Sequence, residues 1–376
     1  MRDVRGMLKM RDAPGAPTVL VMPDLFSPFT LRGVTLRNRI GVSPMCQYSY
    51  DDGFSNEWQL VHLGSRAAGG AGLVIVEATA VEARGRISPK DLGIWTDAHV
   101  EPLARVARFI AQQGATPGIQ IAHAGRKAST AVPWEGGGPL ADERGGWEPI
   151  GASAIAFNKG WSVPREMTAE DIAIVRRHFA EATRRALTAG FTWLEIHAAH
   201  GYLLHSFLSP LSNHRHDVYG GSFDNRVRLL LEVARDARQI WPDDKPVTVR
   251  LSCSDWAEGG WTLDDSIEVS RRLKAEGADL IDCSSGGLVP HAKIEVVPGY
   301  QVPFAEAIRA QAGIATAAVG MITQAKQADD IIRAGRADVA LLARKLLRDP
   351  YWPIHAAREL GRVDAVPVPP QYARAF

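Results

Sequence analysis

The stretch FTWLEIHAAHGYLLHSFLSP (residues 191–210) begins as an apolar run of strand length and continues into histidines and a tyrosine. Runs of the same kind occur on both sides of it, at residues 40–45, 72–79, 116–124, 246–252, 280–286, 315–322 and 339–345. All are rich in small and branched apolar residues without regular alternation, which is typical of parallel strands covered on both faces. The sequence therefore predicts eight buried parallel strands.

Amphipathic segments separate these runs, and two of them follow residues that can cap a helix, Thr168 and Ser222. Eight strand-and-helix units predict an α/β fold, the (β/α)8 or TIM barrel, and 376 residues allow one barrel of roughly 250 residues with insertions. We assign residues 22–376 to this single domain. Residues 125–168 show little helical periodicity, so we expect a capping insertion after the third strand, over the barrel mouth.

The composition narrows the class of protein. A hydrophobic fraction of 46% with 23% charged residues is ordinary for a soluble globular protein with a large core. The 43 basic and 42 acidic residues nearly cancel, so the overall charge does not favour nucleic acid or an acidic membrane. Three cysteines far apart in the sequence, Cys46, Cys253 and Cys283, argue against a disulfide framework and for the cytoplasm.

The first 21 residues carry basic side chains and one apolar run that is too short for the core of a signal peptide. We expect them to form a loosely ordered tail. Met22 would be a more natural first residue, so residues 1–21 are either part of the native protein or an added extension.

In a barrel of this type the active site lies at the C-terminal ends of the strands. Cys46 and Tyr48 follow the first predicted strand and supply a thiol and a phenol. Gln120 on the third strand and Arg250 on the fifth supply an amide and a guanidinium, which suit a heterocycle with donor and acceptor edges. The last two strands end in residues that fit a phosphate-binding site, namely Gly320, Met321, Ala343 and Arg344.

His197 and His200, with Tyr202 close behind, form the most unusual of these strand ends. Their spacing is compatible with a metal site, a proton relay, an anion-binding clamp or a structural pair. Zinc is disfavoured because no neighbouring carboxylate or cysteine supplies a third ligand at a usual spacing, and we predict no metal site. His205, in the segment that follows, is expected to be structural.

The other candidate residues also have ordinary structural interpretations. A lone cysteine is more often a small buried hydrophobe than a functional thiol. Arg250 could be an ion-pair partner, and Ser285-Gly286-Gly287 could be a simple turn. Arg374, close to the C-terminus, would by position alone belong to a frayed surface segment.

Several motifs, taken together and in order, closely resemble the old yellow enzyme family, in particular its cysteine-bearing bacterial subclass of ene-reductases similar to xenobiotic reductases. The resemblance extends from about Leu25 to Phe376 and is carried by SPMCQYS (43–49), AHAGRKAS (122–129), HAAHGYLLHSFLSPLSNHRHDVYGGSFDNR (197–226), SSGG (284–287), PGYQVPFAEAIR (298–309) and QYARAF (371–376). A single HxxH would be weak evidence, but this set on the predicted strand ends is specific. It implies an FMN-dependent NADPH dehydrogenase.

The resemblance implies that FMN is bound without a covalent link. It further implies that NADPH or NADH reduces the flavin and that an activated alkene then reoxidises it at the same site, a ping-pong scheme. No GxGxxG fingerprint follows a predicted strand, and this scheme needs none. The residues assigned to FMN by the resemblance are Ser43, Pro44, Met45, Cys46, Ala78, Gln120, Arg250, Gly320, Met321, Ala343 and Arg344.

For the alkene, the resemblance implies a clamp and an acid. His197 and His200 would donate hydrogen bonds to the carbonyl or nitro oxygen of an enone, a maleimide or a nitro compound. Tyr202 would protonate the α-carbon, while the hydride goes from flavin N5 to the β-carbon. Cys46 would lie beside the flavin and tune its redox potential.

The remaining substrate-side assignments are Tyr48, Lys127 and Arg374. In the subclass that the sequence resembles, the arginine corresponding to Arg374 crosses a subunit interface into the neighbour's active site, and we expect Tyr372 and Phe376 to pack against that partner. The resemblance therefore implies a homodimer or homotetramer that acts on small molecules, with no nucleic-acid or membrane partner.

Two other functions are compatible with a flavin-binding barrel. A barrel of the dienoyl-CoA reductase type carries an iron–sulfur cluster, which requires closely spaced cysteines that this sequence lacks. A flavin-binding barrel without catalysis is a second possibility, and the joint presence of His197, His200, Tyr202 and Cys46 argues against it. Within the enzyme class, a quinone or a nitro group is the alternative acceptor.

Overall fold

The computed structural model describes residues 22–376, so the predicted tail lies outside the described residues. This part of the chain contains twelve strands. They are β1 (Phe29–Leu31), β2 (Val34–Leu36), β3 (Ile40–Val42), β4 (Leu73–Ala80), β5 (Thr116–Ala122), β6 (Ile150–Gly151), β7 (Arg165–Glu166), β8 (Trp193–Ala198), β9 (Val247–Ser252), β10 (Leu280–Ser284), β11 (Ala315–Ala318) and β12 (Val339–Leu342).

Eight of these strands close into a barrel in the order β3-β4-β5-β8-β9-β10-β11-β12, and β12 pairs with β3. Every neighbouring pair is parallel. Each barrel strand overlaps one predicted run, so the predicted (β/α)8 barrel is confirmed. Six of the runs extend past their strands, because their last residues leave the sheet at the barrel rim; they are those at 40–45, 116–124, 191–200, 280–286, 315–322 and 339–345.

Ten α-helices are found in the described residues, most of them on the outside of the barrel. They are α1 (Glu57–Ala68), α2 (Val100–Gln112), α3 (Ala169–Thr188), α4 (Leu203–Leu208), α5 (Phe223–Ile240), α6 (Leu263–Ala275), α7 (Val302–Ala312), α8 (Ala325–Arg333), α9 (Arg344–Arg348) and α10 (Trp352–Glu359). None of them is both long and apolar enough to cross a membrane. Both predicted caps are confirmed, Thr168 at the start of α3 and Ser222 at the start of α5.

An apolar cluster fills one end of the barrel. Its larger members are Leu73, Ile75, Trp193, Leu280 and Leu341. The antiparallel hairpin β1–β2 packs against this cluster and covers it. Since that end is filled by side chains, a ligand can enter the barrel at the opposite end, where the strands terminate.

The segment 125–168 leaves the barrel after β5 and returns at α3. Apart from the short parallel pair β6–β7, it consists of loops and 3-10 turns. Trp147 donates from Nε1 to the carbonyl of Arg84 at 2.9 Å, and the N–H of Thr130 donates to the carbonyl of Ile87 at 2.8 Å. These bonds tie the insertion to the loop that follows β4, at the open end of the barrel.

Replacing the cap of α3 should measurably destabilise the fold. Thr168 Oγ1 accepts the N–H of Asp171 at 3.1 Å, and the Asp171 carboxylate accepts the N–H of Thr168 at 2.8 Å. Thr168→Ala removes the first of these bonds and should lower the free energy of unfolding by about 1 kcal/mol, measured by urea denaturation. Thr188→Ala is the control at the other end of α3, where the hydroxyl contacts a helix carbonyl, and should change it by less than about 0.5 kcal/mol. Equal losses in the two variants would contradict the role of the cap.

Candidate active site

The open end of the barrel contains a cavity of about 230 Å³ beside the last strands. Residues from β9 to β12 and from the start of α9 line it. Among them are Arg250, Ser284, Tyr300, Gln301, Gly320, Met321, Ala343, Arg344, Lys345 and Arg348. Because several of these side chains are cationic, the cavity is suited to an anionic ligand.

The backbone at Gly320 and Met321 is shaped for the close approach of such a ligand. Their φ angles are 119° and 51°, and successive N–H groups in turns of this kind form anion-binding concavities. A Cβ at Gly320 would lie 2.9 Å from Gln301 Nε2, so a side chain there would displace its neighbour. Ala343 precedes α9 and Arg344 begins it, which brings further backbone N–H groups to the same place. These residues fit the phosphate of FMN.

Arg250 and Gln120 lie deeper in the barrel, on the floor of the site. Arg250 is buried, its Nη1 donates to Ser43 Oγ at 3.0 Å, and its Nε lies 3.3 Å from Asp282 Oδ2. Gln120 is also buried and donates from Nε2 to Glu195 Oε1 at 2.8 Å. This bond uses one of the two N–H donors of the amide, so the carbonyl oxygen can accept from a ring N–H and the second N–H can still donate. The floor therefore fits the pyrimidine end of a flavin.

His197, near the end of β8, and His200, just after that strand, lie side by side, with Tyr202 next to them. The His197 ring centroid is 5.2 Å from that of His200 and 5.1 Å from that of Tyr202. His197 Nδ1 accepts the N–H of Ala199 at 3.3 Å, so the ring hydrogen is on Nε2. His200 Nε2 lies 2.7 Å from Ser284 Oγ, which leaves Nδ1 for another partner. Each imidazole thus keeps one ring nitrogen for a ligand.

Burial keeps both imidazoles neutral at neutral pH. It lowers the pKa of His197 and of His200 well below the usual value, and the positive charge of Arg250 lowers them further. Burial also raises the pKa of the Tyr202 phenol well above its usual value, so this group stays protonated. In residues 22–376 no group of three or more His, Cys, Asp and Glu side chains is arranged to hold a metal ion.

The loop after β3 carries Cys46 and Tyr48 and is held from β4 by Glu77. The Glu77 carboxylate accepts the N–H of Gln47 at 2.8 Å and the hydroxyl of Tyr50 at 2.5 Å. Burial, and then the charge of Glu77, raises the pKa of the Cys46 thiol well above its usual value. The thiol is therefore protonated and a poor nucleophile.

Two further side chains position the loop that bears the histidine pair. The Lys127 ammonium donates to the carbonyl of His200 at 2.9 Å and to that of Gly287 at 3.0 Å. His205 is fully buried, and its Nδ1 accepts the N–H of Gly201 at 2.8 Å. His205 is thus structural, and Lys127, which we assigned to the substrate, uses two of its three N–H groups on the protein itself.

The structure brings most of the predicted site residues together at the open end of the barrel. They are Ser43, Pro44, Met45, Cys46, Tyr48, Ala78, Gln120, Lys127, His197, His200, Tyr202, Arg250, Gly320, Met321, Ala343 and Arg344. Arg374 is the exception. It is exposed and forms no hydrogen bond or ion pair with any residue of the described chain.

The aromatic residues of the C-terminal segment contact their own chain. Packing of Phe376 and Tyr372 against a partner stays a prediction. The Arg358 guanidinium lies 5.0 Å from the ring centroid of Phe376, and the ring of Tyr351 lies 5.9 Å from that of Tyr372. Tyr351 lies at the start of α10 and Arg358 in its last turn, so this helix supplies an aromatic contact to Tyr372 and a cationic contact to Phe376 of the same chain.

Several polar residues of the site were missed in the sequence. Glu77, Glu195 and Asp282 each interrupt an apolar run of strand length. A carboxylate within a buried strand is rare unless it is paired, so this signal could have been used. Gln301 accepts from Ser285 Oγ at 2.6 Å behind Gly320, Met321, Ala343 and Arg344, the residues that we call the phosphate cradle. No feature of the sequence around Gln301 indicated that it belongs to the site.

Comparison with known protein families shows that residues 24–362 match the NADH:flavin oxidoreductase / NADH oxidase family. The NADPH dehydrogenase of Geobacillus sp. (strain WCH70) is 51% identical over 354 residues, which cover 94% of this chain and 98% of that protein. The NADPH dehydrogenase of Bacillus subtilis (strain 168) is 48% identical over 354 residues, which cover 94% and 99% of the two chains.

Solved structures lead to the same family. An old yellow enzyme homologue from Zymomonas mobilis aligns with a TM-score of 0.75 and 25% identity, over 90% of this chain and 93% of that chain. Morphinone reductase aligns with a TM-score of 0.76 and 25% identity, over 92% and 91%. Because the family match spans nearly all described residues and the open end of the barrel fits FMN, the chain is an FMN-dependent oxidoreductase that belongs to the NADH:flavin oxidoreductase / NADH oxidase family, the family of the old yellow enzymes.

Proposed function

We propose that this protein is an NADPH dehydrogenase that reduces activated C=C bonds of enones, maleimides and nitro compounds in a ping-pong cycle. The observation that carries the proposal is the cluster of two neutral imidazoles and a protonated phenol, His197, His200 and Tyr202, beside a site that fits FMN. FMN, when bound, supplies the hydride that reaches the β-carbon. The relatives named NADPH dehydrogenase support NADPH as the reductant.

The two histidines hold the acceptor oxygen. His197 can donate from Nε2, and His200 can donate from Nδ1 when Ser284 donates its hydroxyl hydrogen to His200 Nε2. A carbonyl or nitro oxygen gains electron density as hydride adds to the conjugated carbon. Donors fixed in advance stabilise that developing charge, and as neutral groups they need no counter-ion.

Tyr202 delivers the proton to the α-carbon. A phenol that burial keeps protonated meets the first requirement of a general acid at neutral pH. Its ring lies 5.1 Å from that of His197, so an acceptor bound by the histidines lies next to the phenol. Cys46 and Tyr48 lie on the loop after β3 at the same end of the barrel, where the neutral thiol adjusts the redox potential of the flavin.

The nicotinamide uses the same site before the alkene does. Morphinone reductase, a barrel that aligns with a TM-score of 0.73, has been solved in complex with tetrahydroNAD. The sequence of this chain carries no GxGxxG fingerprint after a strand that would build a separate dinucleotide domain. We infer that nicotinamide and alkene occupy one site in turn.

We further propose a homodimer or homotetramer in which Arg374 enters the site of the neighbouring subunit. Its guanidinium is exposed and forms no ion pair within the described chain, and the nearby Tyr372 is 44% exposed, so the segment still offers surface to a partner. An arginine supplied in this way would close the pocket and orient substrate. The three free cysteines support a cytoplasmic location.

Removing both imidazoles should separate the two half-reactions. His197→Ala with His200→Ala should slow reoxidation of the reduced enzyme by 2-cyclohexenone about 10²-fold or more, because the oxygen loses its donors. Reduction by NADPH should slow far less, and anaerobic stopped-flow absorbance of the flavin measures both steps. The double Asn variant, which keeps amide N–H donors, is the control and should retain more of the oxidative rate. Equal slowing of both half-reactions would contradict the clamp.

The pH dependence of flavin reoxidation tests the charge state of the two histidines. Because their pKa values are lowered, both imidazoles stay neutral as the pH falls through about 6.5, the ordinary histidine value. The oxidative rate of the unaltered enzyme should therefore show no inflection there. A panel containing a quinone and a nitro compound identifies the preferred acceptor, and a chain that binds FMN but reoxidises with none of them would be a non-catalytic barrel.

Tyr202→Phe should slow alkene reduction by about 10²–10⁴, the usual contribution of a general acid, while NADPH still reduces the flavin at a normal rate. Product formation and flavin reoxidation by an enone measure the effect. Tyr48→Phe is the matched control, because it removes the second phenol near the site. A larger loss in Tyr48→Phe than in Tyr202→Phe would transfer the acid role to Tyr48.

Mixed oligomers test the role of Arg374. Arg374→Ala subunits are combined with subunits disabled at His197 and His200, and each pure oligomer should have low activity. Recovery of enone reduction in the mixture is the expected result, because a site with intact histidines can receive an intact arginine from its neighbour. A mixture whose activity only adds that of its parts would show that Arg374 does not serve the partner. Flavin content, measured by absorbance, should be the same in all samples.

A further inference from the structure

Four polar side chains form a layer inside the barrel, on the floor of the flavin site. They are Gln120 on β5, Glu195 on β8, Arg250 on β9 and Asp282 on β10, which we call the polar layer. Gln120 is in register with Glu195, and Arg250 is in register with Asp282. None of the four is more than 6% exposed, so bulk water does not compensate their charges.

The polar layer contains two carboxyl groups for one guanidinium. Arg250 Nε lies 3.3 Å from Asp282 Oδ2, but neither Asp282 oxygen forms a hydrogen bond with the described residues. Glu195 accepts from the amide of Gln120 at 2.8 Å. If both carboxyl groups were ionised, the layer would carry one net negative charge in the barrel interior, where an uncompensated charge is costly.

The surroundings of the layer favour retention of a proton. Burial raises the pKa of Glu195 and of Asp282, and the charge of Asp282 raises that of Glu195 further, although Arg250 opposes both effects. Trp193, two residues before Glu195 on the same strand, belongs to the apolar cluster that fills the barrel below. On the side of β11, Ala317 stands in register with Asp282. The carboxyl pair therefore holds one proton near neutral pH.

The other titratable groups at this end of the barrel differ from the carboxyl pair in their position or in their charge state. The histidine pair is neutral and stays so. Burial lowers the pKa of Lys127 to about 8, and its ammonium is directed to backbone carbonyls. Burial raises the pKa of Glu77 to about 8 and that of Asp91 to about 6, but Glu77 binds the Cys46 loop and Asp91 the loop after β4. Arg250 is the charged group in direct contact with Asp282.

We propose that Glu195 and Asp282 form a redox-linked proton site, which takes up one solvent proton when FMN bound beside Arg250 gains two electrons. The inference rests on the proposed placement of the flavin next to Arg250. Negative charge added there competes with Asp282 for the guanidinium, so the carboxylate becomes more basic. It then binds a proton, COO⁻ + H⁺ → COOH, and no other bond of the layer changes. The added electron density is thereby balanced within the barrel interior.

The test is the pH dependence of the midpoint potential of bound FMN, measured by spectroelectrochemistry on the holoenzyme. The slope of the potential against pH gives the number of protons taken up with two electrons. Between about pH 6 and pH 8 the unaltered enzyme should take up about one proton more than Asp282→Asn. Glu195→Gln, which reproduces the protonated state of Glu195, still accepts from Gln120 and leaves Asp282 as the proton acceptor, should keep the uptake. Glu77→Gln, which removes a titratable carboxyl group outside the layer, is the control and should keep the original slope.

Each outcome decides the question. An identical slope in the unaltered enzyme and in Asp282→Asn overturns the proposal, and so does a loss confined to Glu195→Gln or to Glu77→Gln. If Asp282→Asn does not retain FMN, the slope of the unaltered enzyme decides: two protons taken up with two electrons support the proposal, whereas a single proton, which flavin N5 itself consumes, leaves none for the carboxyl pair and overturns it. The measurement requires bound FMN but no turnover of an alkene, so a failure of the proposed ene-reductase activity would be seen in the acceptor assays and not here.

Discussion

Closure of the parallel barrel is the constraint on which the rest of this structure depends. All eight barrel strands run in one direction and β12 pairs with β3, so their C-terminal ends form a single ring. Ser43 and Arg250, 207 positions apart in the chain, are thereby brought within 3.0 Å of each other. The opposite end is filled by an apolar cluster and the hairpin β1–β2. Polar chemistry must therefore collect in the one ring that remains open.

The same constraint explains how much of the site could be predicted from the sequence. The end of a buried strand is a local feature, because an apolar run stops and a polar residue follows. Cys46, His197, Arg250 and the small residues after the last two strands were recognisable in this way, and the fold supplied their common location. Side-chain pairing is not local. The contact between His200 Nε2 and Ser284 Oγ depends on the register of strands that are remote in sequence. No single apolar run contains the information that fixes this register.

The C-terminus shows the complementary limit of sequence reasoning. A resemblance assigns Tyr372, Arg374 and Phe376 a role as a group, but each side chain makes its own contacts. Phe376 packs on α10 of its own chain, whereas Arg374 is exposed and without an ion pair there. A segment anchored by its aromatic residues can still present the guanidinium between them to a second subunit. Contacts within the chain thus hold the aromatic residues, and the packing of this segment against a partner stays a prediction.

Charge is distributed unevenly through the site, and this distribution indicates how the parts divide the work. The groups that would contact the acceptor are neutral: burial keeps the imidazoles of His197 and His200 unprotonated and the Tyr202 phenol protonated. Formal charge lies around them, in the cationic phosphate cradle and in the polar layer on the floor. A neutral acceptor bound among neutral donors requires no counter-ion. The negative charge that reduction adds to the flavin must then be compensated by Arg250. Because Arg250 is already paired with Asp282, protonation of the carboxyl pair behind it completes the compensation.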